Sequence, residues 1–400
     1  MGCAATTSNG MKKILIVTGI FPPDIGGPAS YAANIGPVLG KDYEIELITY
    51  SHVWRYDGDK KFGFKIARVW KKWPWFLRNL LYALKVIFSA RKCDTILTLS
   101  TINGGLPALW AKRLFKKPVI VRIAGDYAWQ VAAEKGLTNL GIDEFQTSKK
   151  TGRIGRLFRM QVKVCRQADL VIVPSEYLSG LVNGWGVDKN KIRVVYNGID
   201  SLDSSLSKED ARNKIGVHGN IILSVGRLVP WKGFRMLIKI MPQLVAINQF
   251  FRLVIVGSGP DMEILKTMAA NLGLGQKVFL AGAKTQEELK QFLAAADIFV
   301  LNTGYEGFSH QILEVMSAGV PVVTTNAGGN TEVIKQGENG FMIRYNDEFN
   351  LVEAVKTLWE DKDLQNQFVE NGKKTAEKFK IEKMADETKQ IFDKFLIPNS

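Results

Sequence analysis

The chain consists of short apolar runs that alternate with longer amphipathic stretches. The runs in the first half are ILIVTG (14–19), YEIELITY (43–50), TILTLS (95–100), PVIVRI (118–123) and DLVIVPS (169–175). Those in the second half are NIILSVG (220–226), FRLVIVG (251–257), KVFLAG (277–282), DIFVLN (297–302) and VPVVTT (320–325). Apolar strands separated by helical stretches are typical of parallel sheets that are covered on both faces. The pattern therefore predicts two consecutive, doubly wound α/β units.

A stretch rich in Asn, Gly, Asp and Ser at 196–207 separates the two units. A chain of 400 residues is also too long for one hydrophobic core. We expect a first domain over 11–205, a second over 206–379, and a last helix over 380–396 that packs back on the first domain. Residues 1–10 show no periodicity and are interpreted as a leader or tag. The alternative is lipidation, because Gly2 and Cys3 formally match a myristoylation and palmitoylation pattern.

The composition limits the class of protein. A hydrophobic fraction of 46% and a charged fraction of 23% are close to those of globular proteins. They exclude a disordered chain, a collagen-like repeat and a multi-span membrane protein. The three cysteines are too scattered for a disulfide framework or a zinc cluster, so we expect a reducing, cytoplasmic location.

The positive charge is concentrated in the first half of the chain. Residues 1–200 contain 30 Lys and Arg against 15 Asp and Glu, and the totals of 53 and 39 leave 23 and 24 for residues 201–400. Residues 61–92 and 149–166 contain many cations and no acid, and they are interleaved with apolar and aromatic residues. Such stretches suit an anionic membrane surface. The alternative is an ordinary helix that covers the sheet, and no motif indicates a nucleic acid partner.

Two loops that follow predicted strands carry candidate binding groups. Gly26 and Gly27 end a Pro-rich loop and open a helix, where bare backbone amides can bind a phosphate group. A plain tight turn explains this diglycine equally well. Arg227 and Lys232 lie five residues apart on the loop after NIILSVG. They are suited to a diphosphate, although two solvated surface cations remain the alternative.

The segment 302–325 carries the densest signal. Glu306 lies in a loop after a predicted strand, and a helix begins near Phe308, so the amides of Phe308, Ser309 and His310 would meet an anionic group. Glu314 follows two helical turns later. A carboxylate at a helix N-terminus can simply complement the helix dipole. That reading does not explain Glu314, because an unpaired carboxylate on a largely apolar helix is costly.

These residues carry a resemblance to a known family. The segment EGFSHQILEVMSAGVPVV (306–323) resembles the E-x7-E signature of retaining family-4 glycosyltransferases, which have the GT-B fold. Further pieces occur in that family's order, namely the diglycine loop, VPS (173–175), YNGID (196–200), GR-x4-KG (226–233), VGSGP (256–260) and AGGNTEVI (327–334). The resemblance covers residues 12–380. It implies two facing Rossmann-like domains with a cleft between them.

The resemblance also implies roles for individual residues. Arg227 and Lys232 would neutralise the diphosphate of a nucleotide sugar, which is a co-substrate rather than a cofactor. Glu314 would bind the ribose, and Glu306 with the backbone of 308–310 would hold the transferred sugar. Gly27 would approach the diphosphate from the facing domain. The loop at Ala283 and Lys284 would lie near the base.

The sequence departs from the family at one position and carries one misleading pattern. Several members have a histidine after the strand that matches PVIVRI, where this chain has Ala-Gly-Asp126. Asp126 is either a hydrogen-bonding partner for the sugar or a turn residue. Asp57 and Asp59 form a D-x-D triplet, which we interpret as a polar turn because Asp-Gly is a common turn pair. We therefore expect no catalytic metal.

The resulting hypothesis is a metal-independent, retaining glycosyltransferase that acts on a glycan or lipid-linked acceptor in cell-envelope or polysaccharide biosynthesis. We expect it at the cytoplasmic face of the membrane. The alternatives are a sugar-nucleotide epimerase of similar fold and a membrane-associated binding protein without turnover. An epimerase needs further acid/base residues in the cleft, and the intact set of two acids and two cations argues against a protein without turnover.

Overall fold

A computed structural model describes residues 11–24, 26–200 and 206–396. The first unit contains a parallel sheet in the order β3-β2-β1-β4-β5-β6-β7. Its strands are β1 (Lys13–Val17), β2 (Glu44–Ser51), β3 (Lys65–Trp70), β4 (Thr95–Thr98), β5 (Val119–Arg122), β6 (Leu170–Val173) and β7 (Ile192–Val194). Its helices are α1 (Gly27–Leu39), α2 (Trp75–Ala90), α3 (Gly105–Phe115), α4 (Tyr127–Glu134), α5 (Ile142–Thr147), α6 (Gly152–Gln167) and α7 (Glu176–Gly184).

The second unit contains a parallel sheet in the order β10-β9-β8-β11-β12-β13. Its strands are β8 (Asn220–Val225), β9 (Phe251–Val256), β10 (Val278–Gly282), β11 (Ile298–Leu301), β12 (Val322–Thr325) and β13 (Phe341–Ile343). The helices from here on are α8 (Lys208–Ile215), α9 (Phe234–Ile247), α10 (Met262–Asn271), α11 (Gln286–Ala295), α12 (His310–Ser317), α13 (Glu348–Glu360), α14 (Lys362–Ala376) and α15 (Ile381–Leu396). The predicted α/β architecture is therefore confirmed.

Each sheet is covered on both faces, as the apolar runs predict. Side chains alternate along a strand, so Leu15 and Val17 pack in one core with Tyr82 of α2, while Ile14 and Ile16 pack in the other with Tyr31 of α1. All of these side chains are buried. Burial on both faces explains why the central strands are apolar at nearly every position.

The last helix, α15, packs against α1 of the first unit. The Oγ1 of Thr388 lies 3.1 Å from the hydroxyl of Tyr31, and the ammonium of Lys389 lies 3.1 Å from the carboxylate of Asp42. Phe392 is fully buried in the same core as Tyr31. Helix α15 thus packs on the first unit although it follows the second unit in sequence.

Candidate active site between the two units

The loop after β8 carries Arg227 and Lys232, and it is pressed against the end of β11. Gly233 ends this loop with a φ of 63°, and a Cβ there would lie 1.9 Å from the carbonyl oxygen of Asn302. Only glycine tolerates both the left-handed backbone and this approach. Strands β8 and β11 are neighbours in the sheet, so the loops that follow them lie side by side.

The loop after β11 brings Glu306 to Lys232. The amide of Gly304 donates a 2.7 Å hydrogen bond to the carbonyl of Trp231, which joins the two loops. The ammonium of Lys232 forms an ion pair with the carboxylate of Glu306. Each of these side chains is only 11% exposed. Two of the four predicted charged groups are thus in direct contact, at the entrance to helix α12.

Helix α12 begins at this ion pair. The Ser309 hydroxyl accepts a hydrogen bond from the amide of Ile312, which caps the helix. Phe308 is buried and packs on the rings of Tyr196 and Phe379. Burial, together with the nearby charge of Arg122, lowers the pKa of His310 to about 4. The imidazole is therefore neutral near pH 7, as the sequence predicts, but burial rather than the helix is the main cause.

Glu314 lies on the same helix and is largely buried. Burial raises the pKa of its carboxyl to about 7. Among the residues that the structure describes, this carboxyl has no hydrogen-bond or ion-pair partner. A group with a pKa near neutrality both donates and accepts hydrogen bonds, which suits a ligand hydroxyl.

Arg227 faces the first unit. Its guanidinium lies 2.7 Å from the carboxylate of Glu134 at the end of α4, and the side chain is exposed. Helix α4 also contributes Trp129, whose ring centroid lies 5.1 Å from that of Trp231 and 5.0 Å from that of Tyr305. Sequence reasoning missed this contact, because nothing local in the sequence indicates that α4 crosses to the facing unit.

The structure gives Asp126 a different role from a sugar contact. Asp126 is fully buried and caps α4 by accepting a 3.0 Å hydrogen bond from the amide of Trp129. The side-chain amides of Gln146 and Gln161 also donate to its carboxylate, at 2.9 and 2.7 Å. Both carboxylate oxygens are thus occupied within the protein. This placement differs from both alternatives that the sequence offered, because Asp126 caps a helix rather than a turn and is fully buried.

The remaining predicted residues line the surrounding loops. Gly26 precedes α1, and a Cβ at Gly27 would meet no atom within 4 Å, so space is open beside that backbone. Ala283 and Lys284 follow β10, two strands from β8. Lys284 lies 3.5 Å from the carboxylate of Glu288, and Ala283 is exposed. These placements do not test the roles that the resemblance implies.

Two sequence motifs without an assigned role join the units. Ser175, of VPS, donates a 2.6 Å hydrogen bond to the carbonyl of Gly307. The carboxylate of Glu332, of AGGNTEVI, accepts hydrogen bonds at 2.9 Å from the amides of Glu176 and Tyr177, where α7 begins. A Cβ at Gly307 would lie 2.4 Å from the carbonyl oxygen of Ala124. The Glu306 loop is therefore held by the first unit.

The D-x-D triplet of Asp57 and Asp59 lies in a short 3-10 helix (Asp57–Phe62) of the first unit, rather than in the polar turn that the sequence suggested. The Asp59 carboxylate is bound by the guanidinium of Arg68, with one contact of 2.9 Å from Nε. Within residues 11–24, 26–200 and 206–396, no three His, Cys, Asp or Glu side chains are grouped as metal ligands would be. Metal independence stays a prediction.

Comparisons with known proteins place this geometry in context. The family model Glycosyltransferase Family 4 matches residues 25–201, and the model Glycosyl transferases group 1 matches residues 207–375. An uncharacterized glycosyltransferase of Methanocaldococcus jannaschii is 34% identical over 212 residues, 51% of this chain and 54% of that protein. The UDP-Gal:alpha-D-GlcNAc-diphosphoundecaprenol alpha-1,3-galactosyltransferase of Escherichia coli is 27% identical over 322 residues, 78% of each chain.

A solved structure shows the same fold. Anabaena HepE in complex with UDP and glucose aligns with a TM-score of 0.79 at 21% identity, over 96% of this chain and 99% of that one. This likeness confirms the expected GT-B fold of two facing Rossmann-like units.

Proposed function

Because the chain belongs to the group 1, family 4 glycosyltransferases with the GT-B fold, we propose that it is a retaining enzyme that transfers a sugar from a nucleotide diphosphate sugar to a glycan or lipid-linked acceptor. The observation that carries this proposal is the contact of Lys232 with Glu306 at the entrance to α12. This contact supports the proposal because it holds a cation, which suits a phosphate, beside an acid, which suits a sugar hydroxyl.

Arg227 and Lys232 stabilise the leaving diphosphate. Cleavage of the bond between sugar and phosphate builds negative charge on the diphosphate, and cations positioned there stabilise the transition state more than the ground state. Arg227 is available to a ligand because its pair with Glu134 is exposed. Exposed pairs contribute only about 0–1 kcal/mol. These two residues supply positive charge without a metal ion.

Glu306, His310 and Glu314 orient the donor. Glu306 accepts a hydrogen bond from a hydroxyl of the transferred sugar once the diphosphate draws Lys232 away. The neutral imidazole of His310 accepts or donates one further hydrogen bond. Glu314, with its raised pKa, binds the ribose hydroxyls. No side-chain nucleophile is required if the acceptor attacks the face that the diphosphate leaves and a phosphate oxygen takes the acceptor's proton.

The ligands and substrates named for two similar proteins suggest which donor and acceptor to test. HepE was solved with UDP, and the Escherichia coli relative is named for a UDP-Gal donor and a diphosphoundecaprenol-linked acceptor. A UDP-sugar and a lipid-linked saccharide are therefore the substrates to test, in the biosynthesis of a cell-envelope polysaccharide.

The outer side of α2 favours contact with an anionic membrane. Trp75 is 72% and Phe88 68% exposed, and Phe76, Leu80 and Leu84 are exposed on the same helix. The segment 61–92 around them contains no acid. An amphipathic helix of this kind lies in the plane of an anionic membrane surface. No helix in the described parts of the chain combines the length and apolarity needed to cross a bilayer.

The basic stretch 149–166 fits the alternative to membrane contact, which is an ordinary helix that covers the sheet. Phe158 of α6 packs against Trp185 and Phe145, with ring centroids 6.1 and 6.2 Å apart. The apolar side of α6 is thus used inside the first unit. Membrane contact is proposed for α2 alone.

Transfer activity tests the proposal directly. The purified protein is incubated with UDP-sugars and a diphosphate-linked saccharide acceptor on a short alkyl chain, and products are detected by mass spectrometry. Lys232→Met should lower kcat by about 10²–10³-fold, as removal of one transition-state contact does in other enzymes. Lys239→Met is the matched control, because Lys239 of α9 forms an exposed ion pair with Glu348 of α13. Equal rates in wild type and Lys232→Met would contradict the assignment.

A further inference from the structure

Three tryptophans cluster at the carboxyl ends of β2 and β3. The ring centroid of Trp70 lies 5.2 Å from that of Trp54 and 6.3 Å from that of Trp73. Trp54 is 58% and Trp73 38% exposed. We call Trp54, Trp70 and Trp73 the tryptophan platform. Trp70, which lies between them, is half-buried. Large aromatic side chains in water are costly, so two exposed tryptophans packed on a third indicate a contact surface.

The platform is held by the sheet and by the loop after β1. Trp70 ends β3 in register with Ser51, and its indole N–H donates a 3.2 Å hydrogen bond to the carbonyl of His52. Lys71 pairs with Asp24 at 2.6 Å, and Arg68 donates to the carbonyl of Pro22 at 2.6 Å. The loop that contains Pro22 and Asp24 leads directly into Gly26 and Gly27. These contacts thus join the platform to the loop that leads into the diglycine, along one edge of the sheet.

The platform lies at the same edge of the sheet as the loop after β1. Strands β3, β2 and β1 are consecutive in the sheet, so β3 is about 10 Å from β1. In a parallel sheet all carboxyl ends lie at one edge, which is where ligands bind. An extended saccharide with its reacting end beside the loop after β1 is therefore long enough to reach the platform with a more distant ring.

The side-chain directions separate the platform from the α2 surface. Ala67 and Val69 of β3 pack in the core under α2, whereas Ile66 packs on the α1 side. By alternation, Arg68 and Trp70 also point to the α1 side. The platform's central ring thus lies on the opposite sheet face from the helix proposed to contact the membrane. This arrangement favours a soluble saccharide over lipid as the occupant.

We propose that the tryptophan platform is an acceptor subsite that binds a neutral pyranose ring remote from the reacting hydroxyl. The C–H faces of a pyranose pack on exposed indole rings, and indole N–H groups bind hydroxyls. Among the described residues, the indole nitrogens of Trp54 and Trp73 have no hydrogen-bond partner, so both are available to a ligand. This inference rests on the proposed transferase function and adds the part of the acceptor that is recognised.

The test compares saccharide binding with nucleotide binding. Wild type, Trp54→Ala and Trp73→Ala are applied to an array of neutral oligosaccharides, and the strongest ligand is titrated by tryptophan fluorescence. UDP binding is measured by calorimetry on the same samples. Each variant should raise the Kd for the oligosaccharide by about tenfold, which corresponds to about 1.4 kcal/mol. The Kd for UDP should not change.

Trp110→Ala is the control, because Trp110 is an exposed tryptophan on α3, outside the platform. It should leave oligosaccharide binding intact. No array binding by wild type, or equal binding by all variants, would overturn the proposal. Loss of vesicle binding in Trp54→Ala with unchanged oligosaccharide affinity would assign the platform to lipid instead. Failure of wild type to bind any nucleotide would contradict the transferase function itself. The array measures saccharide binding alone, so the two failures can be told apart.

Discussion

Glu314 is an ionisable group whose environment opposes its charge. Its carboxyl has a pKa of about 7 in the fold, compared with an ordinary value of 4.5. The unfolded chain therefore loses its proton at a lower pH than the folded chain does. As a result, the contribution of Glu314 to stability is present below pH 4.5, falls as the pH rises to about 7, and stays low above that.

Glu314→Gln should remove this pH dependence. The variant should resemble wild type at pH 4 and be more stable at pH 8, by up to about 3 kcal/mol on the scale of about 1.4 kcal/mol per pKa unit. Urea denaturation at the two pH values measures the difference. Parallel pH profiles for the two proteins would show that the carboxyl ionises freely in the fold.

Glu306 combines a structural contact with a predicted catalytic one. Glu306→Gln keeps the size of the side chain but removes the charge that pairs with Lys232. We expect sugar transfer to be lost while UDP still binds, because Lys232 remains available to the diphosphate. Single-turnover assays and calorimetry separate the two effects. Full transfer activity in this variant would refute the role assigned to Glu306.

Single residues show where sequence reasoning succeeded and where it stopped. The strand-loop-helix pattern was sufficient to place Glu306 and Lys232 each on a loop that follows a strand. It did not predict that β8 and β11 are neighbours in the sheet, which is what brings the two loops together. The pattern did not predict the structural role of Asp126, because its hydrogen-bond partners Gln146 and Gln161 lie 20 and 35 residues away in sequence. It also missed the contact of Arg227 with Glu134, since pairing across a cleft leaves no local signal.

At the scale of elements, ten of the thirteen described strands were predictable, and the three that were not lie at sheet edges. The ten apolar runs correspond to β1, β2, β4–β6 and β8–β12. Strand β3, with the sequence KIARVW, contains two cations because it lies at the edge of its sheet. Strands β7 and β13 have only three residues each and also lie at edges. Short or half-exposed strands lack the continuous apolar run that burial on both faces imposes.

Helix α2 carries the prediction for the membrane surface. Wild type should float with vesicles of phosphatidylcholine and phosphatidylglycerol at low salt, and added salt should weaken the binding because it screens charge. Phe76→Ser combined with Phe88→Ser should abolish flotation. Phe349→Ser is the control, since Phe349 is equally exposed but lies on α13 of the second unit. Absence of wild-type flotation at low salt would end the proposal.

At the scale of the whole molecule, α15 makes the two units interdependent. Phe392 is fully buried on the first unit although it follows the whole second unit in sequence. Phe392→Ala should cost about 3–5 kcal/mol, as such truncations do in well-packed cores. Urea denaturation measures this loss, and Phe349→Ala, an exposed phenylalanine, should change stability little. A loss in the free energy of unfolding no larger than that of Phe349→Ala would show that α15 does not contribute to the core.

The position of α15 also has a consequence for biosynthesis. A ribosome releases the amino-terminal sheet early, but one flank of that sheet stays uncovered until the codons of α15 have been translated. The unit that is made first is therefore completed last, and its apolar flank depends on the second unit folding in the meantime. Termination of translation before α15 would leave an exposed apolar surface on the first unit.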